Sequence, residues 1–239
     1  MKVVDLDVDS QRDLIPSLVG AGHIVLCYFS VGSLEPWRQD CQANKTLWMS
    51  AAVGSMSGWD EEWLDIRKLD LLQSLMIPRF QRALQEGCHG VEPDNIDCYE
   101  NQDCWGQMTN PSVSSGDDVK QAQLTYNTWQ VSYAHSLGLA IAMKNAVGLL
   151  PDLAGLYDCA VNEQCQTYTE CDGYLAFTGG DKAVFQVQYS NDQDWCSGAQ
   201  QWGLQTKYCA GTGDNLCSSG QWSNCFDPED PLPPTQWTN

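Results

Sequence analysis

Short apolar segments alternate with helix-forming segments along most of this chain, which is typical of a parallel β-sheet whose strands are joined by helices. The clearest strand is Ile24-Val25-Leu26-Cys27-Tyr28-Phe29, and the clearest helix covers residues 68–86, where apolar side chains recur at helical spacing. The other predicted strands cover residues 3–7, 88–92, 139–144, 157–163, 183–187 and 205–209. Residues 33–65, rich in Trp, Gly and Ser, are predicted to be irregular. The sequence therefore predicts an α/β protein.

Polar side chains follow the apolar part of most of these strands. They are Asp5 and Asp7, Tyr28 and Ser30, Glu92 and Asp94, Lys144 and Asn145, Asn162 and Glu163, and Gln188 and Tyr189. Polar groups at the carboxyl ends of many strands favour a (β/α)8 TIM-type barrel, whose active site lies at that end. An open doubly wound sheet is the alternative, but such a sheet would concentrate the polar groups at one switch point. Since only six or seven strands are recognisable, we expect the barrel to be unclosed unless a segment of the tail supplies a further strand.

The charge of the chain restricts its partners. The 31 acidic and 12 basic residues give a formal net charge of −19. Such a surface repels nucleic acids and anionic membranes, and it attracts cationic partners. No apolar run approaches the roughly 20 residues of a membrane-spanning helix. A contribution to solubility alone is the simpler alternative for the excess of acids.

The twelve cysteines predict a disulfide-stabilised, secreted protein. No Cys-x-x-Cys pair occurs, so zinc-ribbon and thioredoxin chemistry have no support. Two local pairs, Cys165–Cys171 and Cys217–Cys225, are plausible disulfides. The N-terminal residues have no apolar signal-peptide core, so we expect that the signal peptide is not present in this chain. Residues 1–210 are predicted to form the barrel domain, and residues 211–239 a Cys- and Pro-rich tail without regular structure.

The densest group of acids lies in Gly90-Val91-Glu92-Pro93-Asp94-Asn95-Ile96-Asp97. Strand alternation places Glu92 and Asp94 on one face, and Pro93 favours the end of the strand because it cannot donate a hydrogen bond to a sheet. An acidic turn without chemistry is the alternative interpretation. The three histidines lie in unrelated sequence contexts, so no metal site and no cofactor are predicted.

Acid chemistry is the remaining possibility, because Asp94 and Glu163 follow different strands that would converge at the mouth of a barrel. Two carboxylates are the minimum that glycoside hydrolysis requires. Aromatic residues of the loops are suited to stacking against sugar rings, although packing within the protein is the alternative for each of them. These residues are Trp37, Trp48, Trp59, Trp63, Tyr99 and Tyr168.

Several segments, in order, resemble the signatures of glycoside hydrolase family 114. They are Val25-Leu26-Cys27-Tyr28-Phe29-Ser30-Val31-Gly32-Ser33-Leu34-Glu35-Pro36-Trp37-Arg38, Trp63-Leu64-Asp65-Ile66-Arg67, residues 87–97, Met143-Lys144-Asn145, and Asn162-Glu163-Gln164-Cys165 with Tyr168, Glu170 and Cys171. The resemblance implies a (β/α)8 barrel that acts as an endo-α-1,4-polygalactosaminidase. The family has a strand before Asp5-Leu6-Asp7 that this sequence does not show, so we expect a barrel lacking its first strand. Its implied partner is a cationic galactosamine-containing polysaccharide, with no nucleic acid and no membrane.

The resemblance also implies roles for individual residues. Glu163 would be the general acid/base and Asp94 the nucleophile or charge stabiliser, with retention of configuration. The residues expected to bind substrate or shape the site are Asp7, Tyr28, Ser30, Glu92, Asn95, Asp97, Tyr99, Lys144, Asn145, Tyr168 and Tyr189. Two alternatives stay open: a catalytically inactive, carbohydrate-binding relic of a barrel, and a Cys-rich structural or interaction protein.

Overall fold

The computed structural model describes residues 2–109, 111–189, 195–209 and 222–225. The chain forms two compact units, residues 1–148 and residues 149–239. The strands of the first unit are β1 Val3–Asp7, β2 Ile24–Ser30, β3 Ser33–Leu34, β4 Ala52–Ser55, β5 Glu62–Leu64, β6 Gly90–Asp94 and β7 Ala140–Lys144. Its α-helices are α1 Ile15–Gly20, α2 Gln39–Ala43, α3 Lys45–Ala51, α4 Leu69–Glu86, α5 Gln102–Trp105 and α6 Asp117–Ser136.

The main sheet of the first unit consists of β1, β2, β6 and β7 in that order, with each neighbouring pair parallel. The register pairs Tyr28 with both Asp7 and Glu92, and it pairs Ser30 with Asp94. The carboxyl ends of parallel strands lie at the same edge of a sheet. The register therefore brings the polar residues at the ends of β1, β2 and β6 side by side.

Helices α4 and α6 contribute an aromatic cluster to the core of this unit. Phe80 of α4 packs edge-to-face against Phe29 of β2, with 5.2 Å between the ring centroids, and it also packs against Tyr133 of α6 at 5.7 Å. Trp129 stacks on Tyr133 at 5.6 Å. Such pairs favour edge-to-face and offset arrangements, so they fix the orientation of both helices against the strands.

The predicted irregular stretch of residues 33–65 is wrong in part. It contains α2 and α3, and β3, β5 and β4 form a small antiparallel sheet in that order. Ser33 pairs with Trp63 and Leu34 with Glu62. The strands are too short for an alternating pattern to be recognised in the sequence, because β3 has two residues and β5 has three.

The second unit contains β8 Cys159–Glu163, β9 Val184–Gln188, β10 Gln205–Cys209 and β11 Trp222–Asn224. Its α-helices are α7 Leu150–Leu153, α8 Cys165–Tyr168, α9 Leu175–Thr178 and α10 Trp195–Trp202. Strands β8, β9 and β10 are parallel in that order, and β11 is antiparallel to β10. Short 3-10 helices lie at Arg12–Leu14, Cys98–Glu100, Val147–Leu149 and Cys171–Tyr174.

Four disulfides join described residues: Cys27–Cys88, Cys98–Cys104, Cys165–Cys171 and Cys196–Cys225. The predicted pair Cys165–Cys171 is confirmed. The predicted pair Cys217–Cys225 is wrong, because Cys225 bonds to Cys196, 29 residues away. The return of the chain as β11 beside β10 brings Cys225 to Thr206, whose carbonyl accepts its N–H.

The tail predicted to lack regular structure includes β11, so that prediction is wrong for Trp222–Asn224. Residues 210–221 and 226–239 lie outside the described residues, and the boundary at residue 210 stays a prediction. The predicted α/β class, with parallel strands joined by helices and stabilised by disulfides, is confirmed.

The disulfides predict unequal contributions to stability. A disulfide stabilises mainly by restricting the unfolded chain, and more so when it closes a longer loop. Cys27–Cys88 spans 61 residues and Cys98–Cys104 spans 6. We expect replacement of both cysteines by alanine to lower the free energy of unfolding by about 4 kcal/mol for the long loop and about 2 kcal/mol for the short one. Urea denaturation of the two double variants measures the difference, and equal losses would contradict this expectation.

Candidate active site

Lys144, at the end of β7, lies between two carboxylates of β6. Its Nζ is 3.1 Å from Glu92 Oε1 and 3.2 Å from Asp94 Oδ1. Glu92 is only 4% exposed and Lys144 only 6%. Charges buried to this extent are stable only when they are paired. The lysine therefore fixes the relative position of both acids.

The second oxygen of Asp94 accepts a hydrogen bond from the Tyr28 hydroxyl, with 3.0 Å between the oxygens. Burial and the nearby charge of Asp94 raise the pKa of Tyr28 well above its ordinary value, so the phenol stays a donor. The Asp94 side chain is 20% exposed, whereas the Glu92 side chain is 6% exposed. Asp94 is therefore oriented through both oxygens and is still accessible to a ligand.

Asp5 of β1 brings a third carboxyl group to this site. Burial, followed by the charge of Glu92 and a hydrogen bond with it, raises the pKa of Asp5 well above its ordinary value. A neutral Asp5 can share its proton with Glu92, as close carboxyl pairs do. Asp5 was not among the predicted binding residues. Strand alternation could have identified it, since it lies on the same face of β1 as Asp7.

The chain turns sharply immediately after Asp94, Lys144 and Glu163, three strand-end residues of the predicted active site. Asn95, Asn145 and Gln164 follow the last residues of β6, β7 and β8, with φ angles of 60°, 44° and 65°. Residues other than glycine rarely adopt this left-handed region, and those that do are concentrated at functional sites. This left-handed conformation therefore ends the strands directly after Asp94, Lys144 and Glu163 in the sequence.

Ser30 and Asn95 are joined to Ser33 in one hydrogen-bonded cluster. The Asn95 side-chain amide donates to Ser30 Oγ at 2.9 Å and to Ser33 Oγ at 3.3 Å. Ser30 and Ser33 are fully buried, and their hydroxyl oxygens are 2.6 Å apart. The structure therefore places Ser30 in the support of the Asp94 turn rather than on an exposed surface.

Asp7, at the end of β1, belongs to an ion-pair network around Arg38. The guanidinium of Arg38 is buried and contacts Asp7 at 2.8 Å, Asp9 at 2.7 Å and the carboxylate of Glu35. Burial by itself would raise the pKa of Asp7, but Arg38 and the N–H groups of Ser10 and Asp9 lower it overall. Asp7 is thus held as a charged partner of Arg38.

Three further predicted residues also lie in the first unit. Burial, followed by the charge of Asp94, raises the pKa of Asp97 to about 7. Tyr99 is largely buried, and its hydroxyl donates to Glu100, whose carboxylate also accepts the Gly148 N–H at 2.9 Å. Asn145 is half-buried in its left-handed turn.

Glu163, in the second unit, accepts a hydrogen bond from the hydroxyl of Tyr189, as expected if the two predicted residues belong to one site. The preceding residue, Asn162, is fully buried. Its side chain donates to the Tyr174 hydroxyl and accepts from the Cys165 N–H, both at 2.9 Å. The end of β8 is therefore fixed on both sides, and the disulfide of Cys165 reinforces it.

Besides the largely buried Tyr99, the aromatic residues proposed for sugar stacking fall into two groups. Trp48 and Trp63 are buried, and the Trp48 ring packs 4.4 Å from the Arg79 guanidinium. For these two the stacking interpretation is wrong, because a sugar cannot reach them. Trp37, Trp59 and Tyr168 are more than half exposed and remain available.

Within the described residues, no group of three or more His, Cys, Asp and Glu side chains is arranged to hold a metal ion. No helix in the same part of the chain is both long and apolar enough to cross a membrane.

Comparison with known proteins relates this geometry to a family of enzymes. The model of glycoside hydrolase family GH114 matches residues 1–219. The crystal structure of Aspergillus fumigatus Ega3 in complex with galactosamine is similar, with a TM-score of 0.74, 28% identity, and coverage of 86% of this chain and 82% of that chain. The glycoside hydrolase domain of PelA from Pseudomonas aeruginosa matches with a TM-score of 0.64, 14% identity and 87% coverage of both chains. A comparison with curated proteins gave no match.

The match over most of the sequence shows that this chain belongs to glycoside hydrolase family GH114. It is therefore a glycoside hydrolase, and the predicted TIM-type α/β fold is confirmed. The assignment of individual catalytic and substrate-binding residues stays a prediction.

The pairing of Lys144 predicts a large effect of its removal. In Lys144→Met, Glu92 is left buried without its cation, so we expect the free energy of unfolding to fall by about 3–5 kcal/mol. Adding Glu92→Gln removes the unpaired charge and is expected to restore part of the loss. Urea denaturation measures both effects. A double variant no more stable than Lys144→Met would show that the charge on Glu92 is not the source of the loss.

Proposed function

We propose that this protein is a secreted, endo-acting glycoside hydrolase that cleaves α-1,4-linked polymers of galactosamine and N-acetylgalactosamine. The observation that carries the proposal is the arrangement at Asp94, an accessible carboxylate held by Lys144 and Tyr28 at the end of a parallel strand. Membership of GH114 supports the reaction class, and the galactosamine bound to Ega3 supports the substrate class.

Asp94 and Glu163 are the proposed catalytic carboxylates. Glu163 acts as general acid/base: it first protonates the leaving glycosidic oxygen and then removes a proton from the attacking water. Asp94 acts as nucleophile or stabilises the charge at the anomeric carbon. The Tyr189 hydroxyl, which donates to Glu163, orients this carboxyl group. Lys144 and Tyr28 hold Asp94, so little reorientation of Asp94 is needed in the reaction.

The charge and the disulfides support the proposed substrate and location. A deacetylated galactosamine polymer is cationic, and a protein with a net charge of −19 attracts it at long range. Four disulfides are typical of proteins that fold in an oxidising compartment, which supports secretion.

A catalytically inactive, carbohydrate-binding protein is the alternative function. Incubation with a partly deacetylated α-1,4-galactosaminan separates the two, since only an enzyme creates new reducing ends. Binding without any new reducing ends would support the inactive protein and exclude the proposed hydrolysis of this polymer.

Removal of either carboxylate tests the catalytic pair. We expect Asp94→Asn and Glu163→Gln each to lower kcat by about 10²–10⁴-fold, because each amide keeps the shape of the side chain but cannot transfer a proton or carry the charge. Asp152→Asn, at an exposed acid of α7, is the matched control and should keep full activity. Thermal melting shows whether the variants fold. A folded variant with full activity would remove that residue from the catalytic pair.

The stereochemistry of the product tests the proposed mechanism separately. A retaining enzyme forms a covalent intermediate on the nucleophile, which water then opens from the opposite side. We therefore expect the first product of an α-linked polymer to be the α-anomer, observed by proton NMR before mutarotation. Initial release of the β-anomer would instead indicate inversion and a water-activating role for Asp94.

A further inference from the structure

Glu61, in the loop between β4 and β5, is connected by hydrogen bonds to the turn behind Asp94. Its carboxylate accepts from Ser33 Oγ, which lies 2.6 Å from Ser30 Oγ. The side chain of Asn95 donates to both serine oxygens. These four residues form one hydrogen-bonded network. Because Ser30 and Ser33 are fully buried, water cannot easily replace a hydrogen bond that is lost from it.

The backbone makes the same connection. The N–H groups of Val31 and Gly32 donate to the Asp94 carbonyl at 3.0 and 3.3 Å. A β-carbon on Gly32 would collide with the carbonyl of Asn95, so this close approach requires glycine. The β2–β3 connection and the turn after Asp94 are therefore in contact through main chain as well as side chains.

We propose that Glu61 is a positioning residue for Asp94, acting through Ser33, Ser30 and Asn95. The proposal rests on the catalytic role proposed above for Asp94. With Glu61 ionised, Ser33 donates to Glu61 and accepts from Ser30 and Asn95. Ser30 then donates to Ser33 and accepts from Asn95 and from the Ser33 N–H at 3.1 Å. In this arrangement both hydroxyls use their donor and acceptor capacity.

The ionisation of Glu61 makes the arrangement pH-dependent. Burial, with the nearby charges of Glu35 and Asp94, raises its pKa to about 7, while the Ser33 hydrogen bond and Arg38 act in the opposite direction. Protonation removes the charge that attracts the Ser33 proton, and bonds to charged acceptors are about twice as strong as neutral ones. The chain of hydrogen bonds is therefore oriented above pH 7 and loosens as the pH falls below it.

The first test compares Glu61→Leu, Ser33→Ala and the double variant, with Glu62→Leu as the matched control on the adjacent residue. We expect Glu61→Leu to lower kcat about tenfold or more and to change KM less than about threefold, as for a loss felt only in the transition state. The double variant should lose little more than either single variant, because all three break the same connection. Glu62→Leu should keep wild-type kcat.

A raised KM with unchanged kcat would overturn the proposal, since it would make Glu61 a substrate contact. Additive losses in the double variant, or an equal loss in Glu62→Leu, would also overturn it.

The second test uses Glu61→Gln, which keeps an acceptor for Ser33 but cannot ionise. Wild-type kcat is expected to show a fall as the pH is lowered through about 7, and Glu61→Gln should lack that step. Asp97, whose pKa is also about 7, is unchanged in this variant, so a step that persists would belong to Asp97 and overturn the role of Glu61. Since the acceptor is retained, this variant also covers the case in which Glu61→Leu does not fold.

A readout without activity separates this proposal from the proposed function. If the wild-type protein cleaves no galactosamine polymer, the proposed function fails, and hydrogen–deuterium exchange still tests the connection. In the wild-type protein, segments 30–34 and 93–97 should exchange faster below pH 7 than above it. In Glu61→Gln, the exchange of these segments should be the same below and above pH 7. Wild-type exchange that shows no such pH dependence, after correction for intrinsic rates, would overturn the coupling itself.

Discussion

Buried carboxylates at the strand ends of the first unit have to be paired, and much of the surrounding structure serves this requirement. Lys144 reaches both Glu92 and Asp94, so one cation of β7 serves two acids of β6. Among the described residues, no salt bridge joins Asp5 to a cation. Its raised pKa favours the neutral form instead. Breaking a buried pair costs far more than an exposed pair contributes, so these acids depend on the exact register of β1, β6 and β7.

Neighbouring acids on one strand face take different roles because their burial differs. Glu92, almost completely buried against Lys144, anchors the lysine. Asp94 lies two residues later, where the strand ends, and it contacts the same lysine while remaining partly exposed. The alternation of a strand supplies the common face, and the end of the strand supplies the access. The supporting acid is thus buried and the proposed catalytic carboxylate is accessible, as a preorganised site requires.

The sequence predicts the sheet well because its strands are apolar and its strand ends polar. β1 and β10 begin and end where the sequence places them, and β6 differs by two residues at each end because Glu92-Pro93-Asp94 continues the strand pairing past the apolar part. Local pattern cannot predict non-local contacts. The Cys196–Cys225 disulfide depends on the return of the chain as β11. The contact of Glu61 with Ser33 depends on the small antiparallel sheet. Neither contact produces a periodic pattern in the sequence.

The left-handed turn at Asn95 explains why the supporting hydrogen bonds lie where they do. A residue other than glycine in this conformation costs roughly 1–2 kcal/mol, and asparagine adopts it more readily than most other residues do. The hydrogen bonds from Asn95 to Ser30 and Ser33 offset this cost. They also fix the orientation of the Asn95 side chain. Glycine would adopt the turn without strain but would remove one hydrogen-bond donor from each serine. The same side chain therefore stabilises the turn and couples the backbone of Asp94 to the β2–β3 connection.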